Sequence, residues 1–258
     1  MSTLSAIAGR LDRAQLSAVA TAQQPAAEAV SLAAAYQIQH ALIGCRAARG
    51  ERLVGLKLGF TSLAKMIQMG VSSVIVGQLT DAMRIADGGT VELGELIHPR
   101  VEPEIAYRIG RDVTFDDPDE DLSQAADAVA PALEIIDSRY ADFRFSLADV
   151  IADNTSAAKF VIGPWRPLGA AESNCAVVLS VNGNPVETGS TAAILGDPAR
   201  ALTELAGIAR RHGMRLRKGS VVLAGAATAA VPLTAGLVEV QVSGLGRASV
   251  RVAGDGRG

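Results

Sequence analysis

The sequence predicts an α+β protein built on a closed or sandwiched mixed sheet. The first fifty residues have the apolar spacing and the Ala, Leu and Gln content of helices. From Val91 onward, short β-type segments alternate with turn residues, and only two helices, near 122–130 and 198–212, interrupt them. A strictly alternating parallel fold would need more helices. We therefore divide the chain into an amino-terminal helical region, 1–90, and a mixed-sheet catalytic core, 91–258, which form one functional unit.

The first elements follow from local patterns. Apolar residues recur at helical spacing near the amino terminus, and a second helix is predicted over 28–49, ending at Gly50. Residues 52–60 then form a short strand. Ser62, which follows this strand, is a candidate N-cap for a short helix over 63–69.

The later strands are apolar runs bounded by turn residues. Asn182 and Gly183 between two of the runs indicate a hairpin. Asp197 and Pro198 provide an N-cap and a first residue for the last helix. The predicted strands span 101–109, 132–137, 159–163, 175–183, 221–225, 237–242 and 248–252.

Composition excludes several classes of function. The 24 basic and 27 acidic residues give a net charge of −3, and no basic face suited to nucleic acid is visible. Cys45 and Cys175 lie far apart, so they indicate reduced thiols and no thiolate zinc site. The amino terminus does not resemble a signal peptide, and the apolar run 221–233 is too short to cross a membrane. We expect a cytoplasmic protein without membrane or nucleic-acid partners.

Two glutamates in the strand 101–109 are candidate metal ligands. Side chains alternate along a strand, so Glu102 and Glu104 share one face. Two carboxylates on one face repel each other unless a positive group lies between them. A divalent cation such as Mg²⁺, or Mn²⁺, is one solution. The alternative is a solvent-facing pair at a sheet edge, which is common for this spacing taken alone.

A third glutamate strengthens the metal hypothesis. Glu134 interrupts an apolar strand, and an unpaired buried carboxylate is costly, so Glu134 is either salt-bridged or a ligand. Three carboxylates would leave positions on Mg²⁺ for water or a chelating substrate. Asp137 falls on the opposite face of the strand and is not expected to be a ligand.

Lys57 is unusual because apolar residues and glycines flank it. It either extends its ammonium to solvent or is partly desolvated, facing an anionic substrate or transferring a proton. The residues 153–156 are either an ordinary turn or a source of donors for a substrate carboxylate. Among the histidines only His98, close to the carboxylate strand, is a candidate. No phosphate-binding glycine motif supports a nucleotide cofactor.

Short motifs with glycines, acids and hydroxyl residues occur along the chain in a fixed order. They are GLKLGFTS (55–62), AKM (64–66), QMGV (68–71), HPRVEPEI (98–105), PALE (131–134), DSRY (137–140), ADNTS (152–156) and TAAVP (228–232). Together they resemble the hydratase/decarboxylase branch of the fumarylacetoacetate hydrolase superfamily, over residues 30–252.

This resemblance implies a mixed β-sandwich roll and a divalent-metal enzyme of the meta-cleavage catabolism of aromatic compounds. Members of the branch either hydrate 2-hydroxypenta-2,4-dienoate or decarboxylate 4-oxalocrotonate (2-oxo-3-hexenedioate). The metal site of the family matches Glu102, Glu104 and Glu134, its active-site lysine matches Lys57, and a family aspartate resembles Asp81. The resemblance also implies a homo-oligomer, which can form a complex with a partner hydratase.

Three features favour decarboxylation. Hydratases of this branch typically have an Asp before an aromatic residue and Gly, where this chain has Ile75. The segment 137–145 is similar to the decarboxylases, which tend to carry Lys at the position of Arg144, and 228–232 is similar to them too. We expect a carbon–carbon lyase that converts 4-oxalocrotonate to 2-hydroxypenta-2,4-dienoate and carbon dioxide. A hydratase is the alternative, with an acylpyruvate-type hydrolase or a non-catalytic scaffold further behind.

In this interpretation a 2-oxo acid chelates the metal, and loss of its distal carboxylate leaves a dienolate. Lys57 and Asp81 are the expected catalytic residues. Ser156 and Arg144 are expected to anchor a carboxylate. The expected substrate-binding residues are Ile75, Arg144, Ser156 and Thr228, with Val76 and Met69 as further apolar candidates.

Overall fold

The structure, a computed structural model, describes residues 3–23, 30–62, 66–67, 74–169 and 172–254. The motif 68–71 with Met69, and most of the short helix predicted over 63–69, lie outside the described residues.

Four α-helices lie within the described residues: α1 (Thr3–Ser17), α2 (Leu32–Ala48), α3 (Leu147–Ala152) and α4 (Arg200–Arg211). The hydroxyl of Ser31 caps α2 by accepting a hydrogen bond from the backbone N–H of Ala34 at 3.2 Å. Helix α2 packs between α1 and α3. None of the helices in the described part of the chain is both long and apolar enough to span a membrane.

Fourteen strands within the described ranges form two sheets. In chain order they are β1 (Leu53–Gly59), β2 (Ile75–Thr80), β3 (Arg84–Ile85), β4 (Thr90–Glu92), β5 (Arg100–Ile109), β6 (Ala126–Ile136), β7 (Ala157–Ile162), β8 (Arg166–Pro167), β9 (Ala176–Val181), β10 (Asn184–Ser190), β11 (Val221–Ala226), β12 (Val231–Pro232), β13 (Gly236–Val242) and β14 (Gly246–Ala253). The larger sheet has the order β2-β1-β11-β5-β6-β7-β3, with β12 on β5 and β8 on β6. The smaller sheet has the order β10-β9-β13-β14-β4.

The two sheets pack face to face, and their facing side chains form the core. Leu133 and Ile135 of β6 belong to the same buried apolar cluster as Val240 of β13 and Val250 of β14. Both sheets mix parallel and antiparallel pairs, since β1 pairs with β11 in parallel and with β2 antiparallel. The predicted α+β sandwich is therefore confirmed.

The helix predicted over 122–130 is wrong. Only Leu122–Ala125 forms a helical turn, of the 3-10 type, and β6 begins at Ala126. The alanines there favour helix locally, but β6 pairs with β5 along nearly its whole length and is buried for most of it. Tertiary pairing overrides the local preference.

Other elements differ in detail from the sequence-based predictions. Helix α4 begins at Arg200 with Ala199 as N-cap, while the Asp197 carboxylate accepts a hydrogen bond from the Ala199 N–H at 2.9 Å. The hairpin predicted at Asn182 and Gly183 connects β9 and β10. The strands β2 and β10, the short strands β3, β4, β8 and β12, and the helix α3 were not predicted. The boundary at residue 90 stays a prediction, but β1 to β3, which precede it, belong to the larger sheet.

Candidate active site

A cavity of about 510 Å³ opens beside the middle of the larger sheet. Strands β1, β2, β5, β6 and β11 contribute side chains to its wall, together with α3, the turn 154–156 and the segment 226–230. Apolar walls come from Ile75, Ile136, Phe143, Phe145 and Val150. A mostly apolar cleft with a few charged groups is the usual form of a small-molecule site.

The three predicted carboxylates meet beside this cavity, and Glu102 is the one that lines it. Glu102 and Glu104 point to the same face of β5, and Glu134 lies directly opposite Glu102 in the β5–β6 register. All three side chains are buried, and one oxygen from each lies within 4.8 Å of the others. The register of two adjacent antiparallel strands therefore creates the cluster.

Two oxygens of the cluster receive no hydrogen bond from any described part of the chain. Glu104 Oε2 accepts a hydrogen bond from the Gly225 N–H at 2.8 Å. Glu104 Oε1 and Glu134 Oε1 are buried, and no donor within the described residues reaches them. Burial, and then the neighbouring Glu134 charge, raise the pKa of Glu104 well above its ordinary value. Buried oxygens left without donors fit a hard divalent cation such as Mg²⁺ or Mn²⁺, which prefers carboxylate ligands.

Lys57 lies next to this cluster. Its Nζ is 2.8 Å from Glu134 Oε2 and donates a hydrogen bond to the Thr155 carbonyl at 3.2 Å. Only 2% of the side chain is exposed, so it does not extend to solvent. Burial lowers the pKa of Lys57, but the attraction of Glu134 and the other two glutamates outweighs burial and raises it. Lys57 is thus a buried ammonium, and it leaves two carboxylate oxygens unsatisfied.

The turn that holds Lys57 has an unusual backbone. Asn154, Thr155 and Ser156 have φ values of 51°, 54° and 57°, a left-handed conformation that costs a non-glycine residue roughly 1–2 kcal/mol. The turn lies directly against β2, where a Cβ on Gly77 would be 2.7 Å from the Asn154 carbonyl oxygen. A strained turn of this kind persists only where the surrounding contacts enforce it.

A buried ion pair holds Asp153, the residue that precedes the turn 154–156. The Arg139 guanidinium pairs with the Asp153 carboxylate, and both side chains are almost fully buried. Arg139 also donates hydrogen bonds to the carbonyls of Asp137 and Ala157 at 2.8 and 3.0 Å. Burial raises the pKa of Asp153 to about 6, although Arg139 opposes the shift. Asp153 thus supports the fold, whereas Ser156 lines the cavity.

The structure brings some of the other predicted residues to the cavity. Ile75, Ser156 and Thr228 line it, and the Thr228 hydroxyl donates to the Ala229 carbonyl at 3.0 Å. The carboxylate of Asp137 accepts hydrogen bonds from the backbone N–H groups of Ile97 and His98, in the loop before β5, as expected for a residue that is not a ligand.

Four of the other predicted residues, namely Val76, Asp81, His98 and Arg144, are not at the cavity wall. Val76 is fully buried in the apolar core instead. Asp81 follows the far end of β2 and forms an ion pair with Arg52 at 2.9 Å, which lowers the pKa of Asp81 through hydrogen bonds from Arg52. Arg144 is exposed and does not line the cavity. The His98 ring packs on Phe143 with centroids 4.6 Å apart. The geometry gives Asp81 and Arg144 no contact with the carboxylate cluster.

Other residues that line the cavity were not predicted from the sequence. Arg100 lies at the cavity two positions before Glu102, and Phe143 and Phe145 form an aromatic wall next to it. The signal for Arg100 was present, because the alternation that placed Glu102 and Glu104 on one face extends to Arg100. For Phe143 and Phe145, the one indication in the sequence was that they belong to the segment 137–145, which resembles the decarboxylases of the family.

The family model of the fumarylacetoacetate (FAA) hydrolase C-terminal region matches residues 60–253. The chain belongs to the fumarylacetoacetate hydrolase family. This match covers the carboxylate cluster, the left-handed turn and most of both sheets.

Relatives within the fumarylacetoacetate hydrolase family cover most of the chain. It is 49% identical over 253 residues to a 4-oxalocrotonate decarboxylase of Pseudomonas sp.. The aligned region covers 98% of this chain and 99% of that protein. It is 40% identical to a 2-keto-4-pentenoate hydratase of Paraburkholderia xenovorans, over 82% of this chain and 80% of that one. A solved 4-oxalocrotonate decarboxylase from Pseudomonas putida G7, complexed with magnesium and adipate, is 35% identical, with a TM-score of 0.91 over 97% of both chains.

Proposed function

We infer that this chain is a magnesium-dependent 4-oxalocrotonate decarboxylase, a carbon–carbon lyase of aromatic catabolism. It converts 2-oxo-3-hexenedioate to 2-hydroxypenta-2,4-dienoate and carbon dioxide. The observation that carries this function is the 49% identity to a 4-oxalocrotonate decarboxylase over almost the whole of both chains. The solved relative that binds magnesium and adipate, a six-carbon dicarboxylate, supports the same substrate class.

Glu102, Glu104 and Glu134 are the residues that we propose to hold the metal. The converging oxygens of the three residues support this assignment, as do the buried oxygens of Glu104 and Glu134 that no donor within the described residues reaches. Bound Mg²⁺ supplies a Lewis acid for the negative charge that develops at the 2-oxo group of the substrate. The cavity beside the cluster has room for a chelating 2-oxo acid.

In this proposal the apolar cavity walls exclude water, and Lys57 stabilises the developing negative charge. The bond to the distal carboxylate breaks, its electron pair enters the dienolate, and the carboxylate leaves as carbon dioxide. Ile75, Phe143 and Phe145 keep water from the leaving group and so favour the less charged transition state. The Lys57 ammonium, fixed by Glu134 and by the Thr155 carbonyl, donates a hydrogen bond to the developing enolate.

We also propose that the protein acts in the cytoplasm as a homo-oligomer and can associate with a hydratase that consumes its product. These proposals rest on the family resemblance. Light scattering of the purified protein, alone and mixed with such a hydratase, measures both assemblies.

The function is tested by incubating the purified protein with 2-oxo-3-hexenedioate and Mg²⁺ while carbon dioxide release is recorded. A parallel reaction contains 2-hydroxypenta-2,4-dienoate, the hydratase substrate. We expect carbon dioxide release that EDTA stops and excess Mg²⁺ restores, with little hydration of the dienoate. Hydration without carbon dioxide release would assign the chain to the hydratases instead.

A further inference from the structure

Arg100 combines three properties that the proposed mechanism does not use. It is the first residue of β5, it lines the cavity, and it lies on the face of the strand that carries Glu102 and Glu104. We propose that Arg100 binds the distal carboxylate of the substrate and thereby selects dicarboxylates over monocarboxylates. This inference rests on the proposed function and names the group that recognises the second charge.

The spacing along β5 suits a dicarboxylate. Residues two apart on a strand are about 7 Å apart and point to the same side. Glu104, Glu102 and Arg100 therefore form a row, with the carboxylate cluster at one end and a guanidinium at the other. A substrate whose 2-oxo acid end lies at the cluster extends its other carboxylate towards Arg100, between apolar walls.

Arg100 is also free to bind an anion. The charged side chains lining the described part of the cavity are Lys57, Arg100 and Glu102, and Lys57 is already paired with Glu134. No carboxylate within the described residues forms an ion pair with Arg100.

Two weak contacts orient the guanidinium. Arg100 Nη1 donates to the Ala230 carbonyl at 3.4 Å, and its Cζ lies 5.7 Å from the centre of the Phe143 ring. These contacts leave other guanidinium N–H groups for a carboxylate, which arginine binds in a bidentate manner. Arg144, which was expected from the sequence to anchor a carboxylate, is exposed outside the cavity wall.

The position of the charge predicts how Arg100 acts on the reaction. The distal carboxylate is an anion in the bound substrate and leaves as neutral carbon dioxide, so a cation that binds it stabilises the ground state more than the transition state. Arg100 therefore contributes to binding and to the choice of substrate, not to the chemical step. Arg100→Gln should raise KM, with kcat unchanged or higher.

The test measures binding by calorimetry on the Mg²⁺-loaded protein with two probes, 2-oxoadipate and 2-oxohexanoate. Both have six carbons and a 2-oxo acid end, and only 2-oxoadipate has the distal carboxylate. We expect Arg100→Gln to weaken 2-oxoadipate binding about 10- to 100-fold and to leave 2-oxohexanoate binding unchanged. Arg100→Lys, which keeps the charge, should lose less.

Arg144→Gln is the matched comparison, since Arg144 is an exposed arginine that also adjoins Phe143. It should leave the affinity for both probes unchanged. Equal weakening of both probes by Arg100→Gln, or loss of the dicarboxylate preference in Arg144→Gln alone, would overturn the inference. Binding requires no turnover, so a protein that releases no carbon dioxide but shows the expected pattern would refute the proposed reaction and support the role of Arg100.

Discussion

The side chain of Asn154 forms with Gln78 both hydrogen bonds that a neighbouring strand would form. Its Oδ1 accepts from the Gln78 N–H at 2.7 Å, and its Nδ2 donates to the Gln78 carbonyl at 2.8 Å. Strand β2 is at the edge of the larger sheet, so Asn154 covers backbone groups that would otherwise be unpaired. The same contact fixes the next residue, Thr155, whose carbonyl accepts the hydrogen bond of Lys57.

Asn154→Ala should therefore weaken both the fold and the chemical step. Two buried backbone groups lose their partner, so we expect a loss of about 1–3 kcal/mol in the free energy of unfolding. Because Thr155 is no longer held, kcat should fall more than KM rises. Asn174→Ala is the control, since Asn174 is also left-handed, with a φ of 56°, but is exposed and outside the cavity wall. Urea unfolding and steady-state kinetics measure both effects, and equal kcat values in the two variants would contradict this role.

Gly77→Ala tests the same contact from the side of β2. The new Cβ would lie 2.7 Å from the Asn154 carbonyl oxygen and 3.0 Å from Lys57 Cδ, so the turn must move. We expect a loss of about 1–3 kcal/mol in unfolding free energy, together with a lower kcat. Gly44→Ala is the control, because a Cβ there meets no atom within 4 Å and alanine favours helix α2 by up to about 1 kcal/mol. An unchanged urea midpoint in Gly77→Ala would contradict the prediction, because it would show that β2 and the turn 154–156 are not closely packed at Gly77.

The carboxylate cluster could be predicted from the sequence because its signals are local. The two-residue period of a strand places Glu102 beside Glu104, and an acid inside an apolar run identifies Glu134. The pairing of β5 with β6 then supplies the only non-local step. The position of Arg100 on this face follows from the same period, although Arg100 was not predicted as a site residue.

The turn 154–156 could not be predicted in this way. Local preference opposes a left-handed backbone at three successive residues, and only tertiary contacts with Gln78, Gly77 and the buried Arg139 enforce it. The prediction for the first half of β6 was wrong for a similar reason. Its alanines favour a helix, but pairing within the sheet imposes a strand.

The raised pKa of Glu104 predicts how stability depends on pH. The folded carboxyl binds its proton more tightly than the unfolded one, whose ordinary pKa is 4.5, so the folded state holds more protons in this range. The stability of the metal-free protein should therefore fall as pH rises from about 4.5 through the raised pKa. Mg²⁺ needs the ionised carboxylate, so the rise in Tm on adding Mg²⁺ should increase with pH over the same window.

Glu104→Gln separates the pH dependence of stability that is due to Glu104 from that of the other titrating groups. The variant keeps the shape of the side chain but removes its charge, so the metal-free protein should be at least as stable as the wild type at neutral pH. Its Tm should respond little to Mg²⁺, and metal-dependent turnover should be lost. Thermal melts across pH, with Mg²⁺ and with EDTA, measure these changes. An unchanged Mg²⁺ response would remove Glu104 from the set of ligands.

Lys57→Met should lower both metal-free stability and the rate of the chemical step. It leaves Glu134 buried without its ammonium partner, and breaking such a pair costs roughly 3–5 kcal/mol. Saturating Mg²⁺ should restore part of this loss, because a cation among the carboxylates offsets the missing charge. A donor removed from the developing enolate should reduce kcat roughly 10²- to 10³-fold, with a smaller change in KM. The exposed Lys218, changed to Met, is the control and should behave as wild type. A higher KM with an unchanged kcat would instead make Lys57 a binding group.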